Sequence, residues 1–142
     1  MTAEGRILGL DVGDKTVGVA ASDLLLMTAQ GVETLRRSDL KADIARILSL
    51  MEEYRASRLV VGWPKNMNGD EGERCEAVKG FADEIKKAAP EAEIIFWDER
   101  LSTVAAAKSL IAADVSRKKR KKVIDKMAAV FILQGYLDSI AE

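Results

Sequence analysis

Arg6-Ile-Leu-Gly-Leu-Asp-Val-Gly-Asp-Lys-Thr-Val-Gly-Val-Ala-Ala-Ser-Asp23 is the stretch on which the reading of this chain turns. The apolar run Ile7–Leu10 ends on a carboxylate, Asp11. A glycine-containing turn follows, and a second stretch leads back with Val17, Val19 and Ala21 alternating against Gly18 and Ala20. That pattern predicts two strands paired antiparallel across a short turn. It aims one acid out of the end of a strand, beside backbone that can approach a phosphate. Aspartate is common in ordinary turns. At the end of a buried run, however, a lone charge is expensive, and its presence favours a functional role.

Working outward, residues 27–35 read as a third strand. Ser38 or Asp39 can cap a helix over about 40–55, where Leu40, Ile44, Ile47, Leu48 and Met51 recur at helical spacing. Arg58-Leu-Val-Val-Gly62 reads as a short buried strand, followed by a loop to Gly72 that contains Pro64, Gly69 and Gly72. A helix over 73–88 stops before Pro90, and Glu93-Ile-Ile-Phe-Trp97 forms the next strand. Residues 102–113 read as an alanine-rich helix and 114–122 as a basic run. Residues 123–140 read as a helix apolar on nearly every side, hence buried. A meander followed by βαβ crossovers predicts an α/β fold: a mixed five-stranded sheet with helices on both faces. The strands near 6, 58 and 93 then run parallel, and open α/β sheets bind ligands at the carboxyl edge of such strands. Asp11, the 62–72 loop and Asp98-Glu99 all emerge there.

The 142 residues predict a single domain, and the 48% apolar content is enough for one packed core. The 22 basic and 23 acidic residues nearly cancel, so any nucleic-acid footprint must be local. No apolar run approaches the ~20 residues that span a bilayer, and no signal peptide is read at the start of the chain. Cys75 is the only cysteine, which fits a reducing cytoplasm. Histidine is absent altogether. That removes the usual base of serine and cysteine hydrolases and the commonest zinc ligand. Carboxylates, lysine, hydroxyls and oxygen-bound metal remain.

Asp98-Glu99 can be an acidic pair ahead of a helix capped by Ser102 or Thr103, since a helix dipole favours acids there. The edge position favours function. Side chains alternate along a strand, so one of the two points inward, with Glu99 preferred and Asp98 the alternate. Asp125 sits near the start of an otherwise apolar helix, where it can stabilise the dipole or act as a third ligand. Two carboxylates ~4 Å apart repel by about 4 kcal/mol at an effective dielectric of ~20. Three would take up protons or splay apart unless cations filled the cluster. Oxygen-only ligation by Asp11, Glu99 and Asp125 selects Mg2+ or Mn2+, and two such ions suit phosphodiester hydrolysis.

Arg117-Lys-Lys-Arg-Lys-Lys122 places six cations just before Asp125. Such runs are usually solvated surface. Beside a phosphodiesterase centre, Arg117, Lys118, Lys119, Arg120, Lys121 and Lys122 instead read as phosphate contacts. Lys15, Lys65, Asn66, Arg74 and Arg100 can add contacts at the same edge. Trp63 and Trp97 can stack bases, although Trp97 ends a strand and suits the core better. Cys75 has no catalytic partner in sight.

At these residues the chain resembles the YqgF/RuvX family, a bacterial branch of the RNase H-like superfamily. The resemblance covers nearly the whole length. It is carried by Leu8-Gly-Leu-Asp-Val-Gly-Asp-Lys15 with Val17-Gly-Val-Ala-Ala-Ser-Asp23, by Val60-Val-Gly-Trp-Pro-Lys-Asn-Met-Asn-Gly69 and by Asp98-Glu-Arg-Leu-Ser-Thr103. Val123-Ile-Asp-Lys-Met-Ala-Ala-Val130 and Leu133-Gln-Gly-Tyr-Leu-Asp138 complete it. It implies an RNase H-like fold and a cytoplasmic, metal-dependent nuclease. Family members are described as processing the 5′ end of precursor 16S ribosomal RNA, and also as Holliday-junction resolvases, from their likeness to RuvC. The family's acidic positions fall on Asp11, the Asp98-Glu99 pair and Asp125. Many relatives carry an arginine where this chain has Thr16, a phosphate contact that Lys15 can replace.

Three functions compete. The first is a two-metal nuclease on structured RNA, with precursor ribosomal RNA leading and branched junction DNA as a variant of the same chemistry. Junction cleavage calls for a homodimer, whereas RNA trimming needs only a monomer. The second is a phosphotransferase, since Asp-Val-Gly in a hairpin also resembles the phosphate loop of actin-like and sugar-kinase ATPases. Those close two domains on a nucleotide, and this chain has one such hairpin. The third is a non-catalytic RNA-binding protein of ribosome assembly, with ribosomal particles as partners.

Overall fold

The computed structural model describes residues 5–65, 68–99 and 117–141, and over 117–126 it describes the backbone alone. Five strands, β1 (Ile7–Val12), β2 (Thr16–Ser22), β3 (Ala29–Arg36), β4 (Arg58–Trp63) and β5 (Glu93–Asp98), form one sheet in the order β3-β2-β1-β4-β5. β1–β2 and β2–β3 pair antiparallel, and β1–β4 and β4–β5 pair parallel. The expected meander and crossovers are therefore present. Three helices are described: α1 (Leu40–Glu53), α2 (Glu73–Ala88) and α3 (Arg117–Ile140).

The two faces of the sheet bury different halves of each strand. Leu8, Leu10 and Val12 of β1 pack with Val17, Val19, Leu59 and Val61 against Ile44, Ile47 and Leu50 of α1 and Val78, Phe81 and Ile85 of α2. Ile7, Ala20 and Val60 pack on the other face against Ala129, Ile132, Leu133 and Leu137 of α3. Each fully buried aliphatic side chain is worth roughly 1.5–3 kcal/mol. β1 is pinned in register, because a slip of one residue would bring a leucine to the place of Gly9, where even a Cβ would lie 2.7 Å from Leu133 Cβ. Asp39 caps α1, its Oδ1 accepting from Ala42 N at 2.9 Å.

Two boundaries differ from those read in the sequence. β3 starts at Ala29, two residues late, because residues 23–28 close a turn. There Asp23 Oδ1 accepts from Met27 N at 2.7 Å and Thr28 N at 3.2 Å, with Leu26 at a φ of 57°. α3 starts at Arg117, so the backbone of the basic run is helical and does not precede the helix. Lysine and arginine are good helix formers, and no glycine or proline lies between 117 and 123 to end the helix. Along α3, Ala128, Ala129, Ile132, Leu133 and Leu137 are buried while Val130 and Phe131 are only half-buried. The helix therefore has one sheet-facing stripe and is not enclosed all round. The alanine-rich helix expected at 102–113 lies outside the described residues.

A candidate acidic site at the carboxyl edge of the sheet

Asp11 stands in the central strand, half-buried, one residue before β1 ends. Alternation puts it on the same face as Ile7 and Gly9, the face covered by α3. The parallel register pairs Leu10 with Val61, so the next level carries Asp11 beside Gly62. In turn, Gly62 pairs with Trp97 and Trp63 with Asp98. A Cβ built on Gly62 would lie 3.0 Å from Glu99 Oε2 and 2.5 Å from Ile132 Cδ1. The Glu99 carboxylate thus reaches back over Gly62 on the α3 face, one strand away from Asp11. Asp98 goes the other way: opposite Trp63, it shares the face of α1 and α2. Asp11, Asp98 and Glu99 each engage in interactions within the fold.

α3 runs against the direction of β1 and β4. Tyr136 Oη meets Arg58 Nη1 at 3.5 Å near the start of β4, and Ile132 meets Gly62 near its end. Over β1, the missing side chain of Gly9 lets Ala129 and Leu133 come close. From Ala129 back to residue 125 the helix rises ~6 Å. From Gly9 forward to Asp11 the strand rises ~6.6 Å. The backbone at residue 125 therefore heads for the level of Asp11, although the Asp125 carboxylate lies outside the described side chains. Among the described residues no three acidic, thiol or imidazole groups close on a single point.

Three of the expected cationic residues, Lys15, Lys65 and Arg74, are described. Lys15 is exposed in the β1–β2 turn and, with Asp14, Arg36, Arg37 and Ser38, lines an open cavity of about 430 Å3. Lys65 is half-buried just after β4, and Arg74 is exposed in the first turn of α2. Asn66 and Arg100 lie outside the described residues, as do the side chains of Arg117 to Lys122.

Trp63 is held by its indole N–H, which donates to Glu71 Oε2 at 2.9 Å, and it meets Phe96 with ring centroids 4.7 Å apart. Trp97 is core, as its place at a strand end suggests, edge-on to Tyr136 at 6.2 Å. Its buried indole N–H has no hydrogen-bond partner among the described residues. Burial pushes the Cys75 thiol up, with Glu71, Asp98 and Glu99 adding to the shift and Lys65 opposing it, so the thiol stays protonated. Pattern alone assigns Gly62 only to the end of the buried strand 58–62. A glycine inside a buried strand marks close approach and was the available signal.

A family model described as "RuvX: Holliday junction resolvase" matches residues 5–139. This chain belongs to the RuvX family. A protein of Clostridium tetani named "Putative pre-16S rRNA nuclease" is 59% identical over 135 residues, covering 95% of this chain and 97% of its own. One of Staphylococcus haemolyticus with the same name is 58% identical, covering 95% and 96%. Among solved structures, Thermus thermophilus RuvC in complex with a Holliday junction substrate aligns with a TM-score of 0.57 at 15% identity, covering 95% of this chain and 96% of that one. The fowlpox virus Holliday junction resolvase aligns at 0.56 and 16% identity, covering 96% and 99%. At such identities the likeness concerns the fold. This RuvX-family chain therefore has the RuvC-like, RNase H-like architecture expected of it. Among the described residues, no helix is long and apolar enough to cross a membrane.

Proposed function

We propose that this RuvX-family protein is a nuclease that hydrolyses phosphodiester bonds with the help of divalent metal, and that its substrate is structured RNA, the 5′ end of precursor 16S ribosomal RNA in particular. The reading is supported by the sheet register, which sets Asp11 and Glu99, 88 positions apart in sequence, on the same face of one sheet edge with Gly62 between them. The missing side chain there is what lets the Glu99 carboxylate and Ile132 close over the strand. The relatives' name, held at 58–59% identity over nearly the full chain, supplies the substrate class.

The donor set fits hard cations: carboxylate oxygens alone, no imidazole, and a thiol that is buried and protonated. Asp11, Glu99 and Asp125 would hold Mg2+ or Mn2+, two ions in all, with the substrate assisting. Metal so bound supplies an activated water and neutralises charge on the leaving oxygen. The chain's own residues bind and orient. Asp11 and Glu99 fix where the reacting phosphate sits, and Lys15, Lys65, Arg74 and the 117–122 run engage flanking phosphates. Asp98, on the opposite face, is assigned no ligand role.

The test is side-by-side cleavage of a precursor 16S ribosomal RNA fragment and a four-way DNA junction, with Mn2+ and with chelator, by wild type and Asp11→Asn. The expected result is Mn2+-dependent cleavage of the RNA that the substitution abolishes while the circular dichroism spectrum is kept. Cleavage surviving in rigorously purified Asp11→Asn overturns the assignment. Preference for the junction would make this chain a resolvase. RNA binding without cleavage, equal with metal or chelator, would make it an assembly factor.

A further inference from the structure

Arg37, between β3 and α1, has no place in the acidic edge, yet its contacts converge on the turn that follows Asp11. We propose that Arg37 is a positioning residue for the metal-dependent site, a clamp that fixes the β1–β2 turn from behind. This rests on the phosphodiesterase reading of that edge.

The turn is gripped twice by this one residue. Arg37 Nη1 donates to the Gly13 carbonyl oxygen at 2.8 Å, and Arg37 backbone N donates to the Lys15 carbonyl oxygen at 2.8 Å. Between those two carbonyls the turn closes on itself, Gly13 N donating to Thr16 O at 2.8 Å. A Cβ on Gly13 would lie 3.1 Å from Thr16 O, so the turn has no slack on its inner side. The guanidinium is itself held from two directions. Its Nε meets Asp43 Oδ2 at 3.3 Å, and its carbon lies 5.0 Å over the ring of Phe81 in α2. Asp43 is 2% exposed and is fixed in turn, Oδ1 accepting from Ser38 N at 3.1 Å.

The α1–α2 layer is thereby joined through one planar fork to the peptide two residues beyond Asp11. A guanidinium suits this because its donors point in fixed, divergent directions, so one side chain serves a carbonyl and a carboxylate together. Lysine carries one compact charge and cannot reproduce both. Without the fork, the Gly13–Asp14 peptide loses its outer support, and with it the turn that joins the strand end carrying Asp11 to Lys15. Partners that orient a metal ligand typically change metal affinity or activity by ~10–100-fold when removed.

Arg37→Met alone would also strand the buried Asp43 carboxylate, a cost to folding that has nothing to do with positioning. The informative protein is the double variant Arg37→Met/Asp43→Asn, which removes that charge and keeps an oxygen for Ser38 N. It is compared with wild type for thermal midpoint, kcat and KM on the precursor RNA fragment, the Mn2+ concentration giving half-maximal rate, Mn2+ binding by calorimetry, and Gly13 amide exchange. Expected are a midpoint close to wild type, KM within about twofold, kcat down about tenfold, weaker Mn2+ binding with a higher half-saturating concentration, and faster Gly13 exchange. A merely structural role would move the midpoint and leave Mn2+ half-saturation in place. Arg37→Lys, which keeps the charge beside Asp43, should show the same shift in half-saturation, and it decides the matter if the double variant does not fold. An active wild type and variants with unchanged kcat and Mn2+ affinity would overturn the clamp alone. A wild type that neither binds Mn2+ nor cuts would instead remove the nuclease reading and the site to be positioned.

Discussion

Gly9→Ala isolates the closeness of α3 to β1. A methyl group at position 9 would sit 2.7 Å from Leu133 Cβ and 3.1 Å from the Ala129 carbonyl oxygen. Carbon atoms in contact settle ~3.8 Å apart, so α3 must back away by about 1 Å. A far side-chain tip could rotate out of the way; a Cβ and a backbone oxygen in a helix cannot. Overpacking of this kind costs about 1–3 kcal/mol. For a chain of this length that lowers the thermal midpoint by roughly 4–12 °C. The functional effect should be larger than the loss of fold, because the same helix carries residue 125 one turn beyond Ala129. A 1 Å displacement of a reacting group can cost ~100-fold. The assay is thermal denaturation by circular dichroism together with Mn2+-dependent RNA cleavage at a temperature where the variant is fully folded. The expected outcome is a lowered midpoint and cleavage reduced about 10–100-fold. A variant with the wild-type midpoint and rate would refute the close packing of α3 on β1 and the linkage of residue 125 to Asp11.

Other perturbations probe separate parts of the molecule. Gly80→Ala should stabilise by up to ~1 kcal/mol, since Gly80 lies inside α2 with nothing within 4 Å of the added carbon; a lower denaturation midpoint would contradict the open space there. Asp23→Ala should lower the midpoint at pH 7. Backbone N–H donation from Met27, then Thr28, holds the Asp23 carboxyl below its ordinary value of 3.8. Its contribution is therefore present above pH 3.8 and lost as pH falls through the depressed value, so the wild-type and variant midpoints should converge in acid; a gap that stays constant with pH would count against the turn. Charge reversal at Lys118 and Lys119 should weaken RNA binding and flatten the plot of log affinity against log salt by about 2, one unit for each phosphate no longer engaged. An unchanged slope would remove the basic run from the interface.

The parts of the fold legible in the sequence were those where one local rule acts alone. The Ile7–Leu10 run, the 17–21 alternation and the helical spacing from Leu40 to Met51 each carry one period, and each element appears within a residue or two of its expected place. Boundaries failed where side chains decide them. The hydrogen bonds of Asp23 delay β3, and nothing in the composition of residues 23–28 announces that its carboxylate accepts from two backbone N–H groups. Placing the basic run ahead of the helix let charge outweigh helix propensity, and the backbone of α3 follows propensity. At the site, the strand reading brought Asp11 and Asp98-Glu99 to one edge, but which of the pair faces α3 depends on the register of β5 against β4 and on Glu99 turning back over Gly62. Arg37 was invisible for a different reason. Its partners Gly13, Asp43 and Phe81 come from a turn and two helices, and no periodicity links them.

Asp11 belongs to the middle strand, laddered to neighbours on both flanks, whereas Glu99 follows β5 at the rim of the five-stranded sheet. Opening free energies are smallest where a segment is tied on one flank only. On the metal-dependent reading proposed above, the two acids would form a vice with one jaw bolted to the frame and one at the rim, and mild denaturant should weaken Mn2+ binding before the molecule melts.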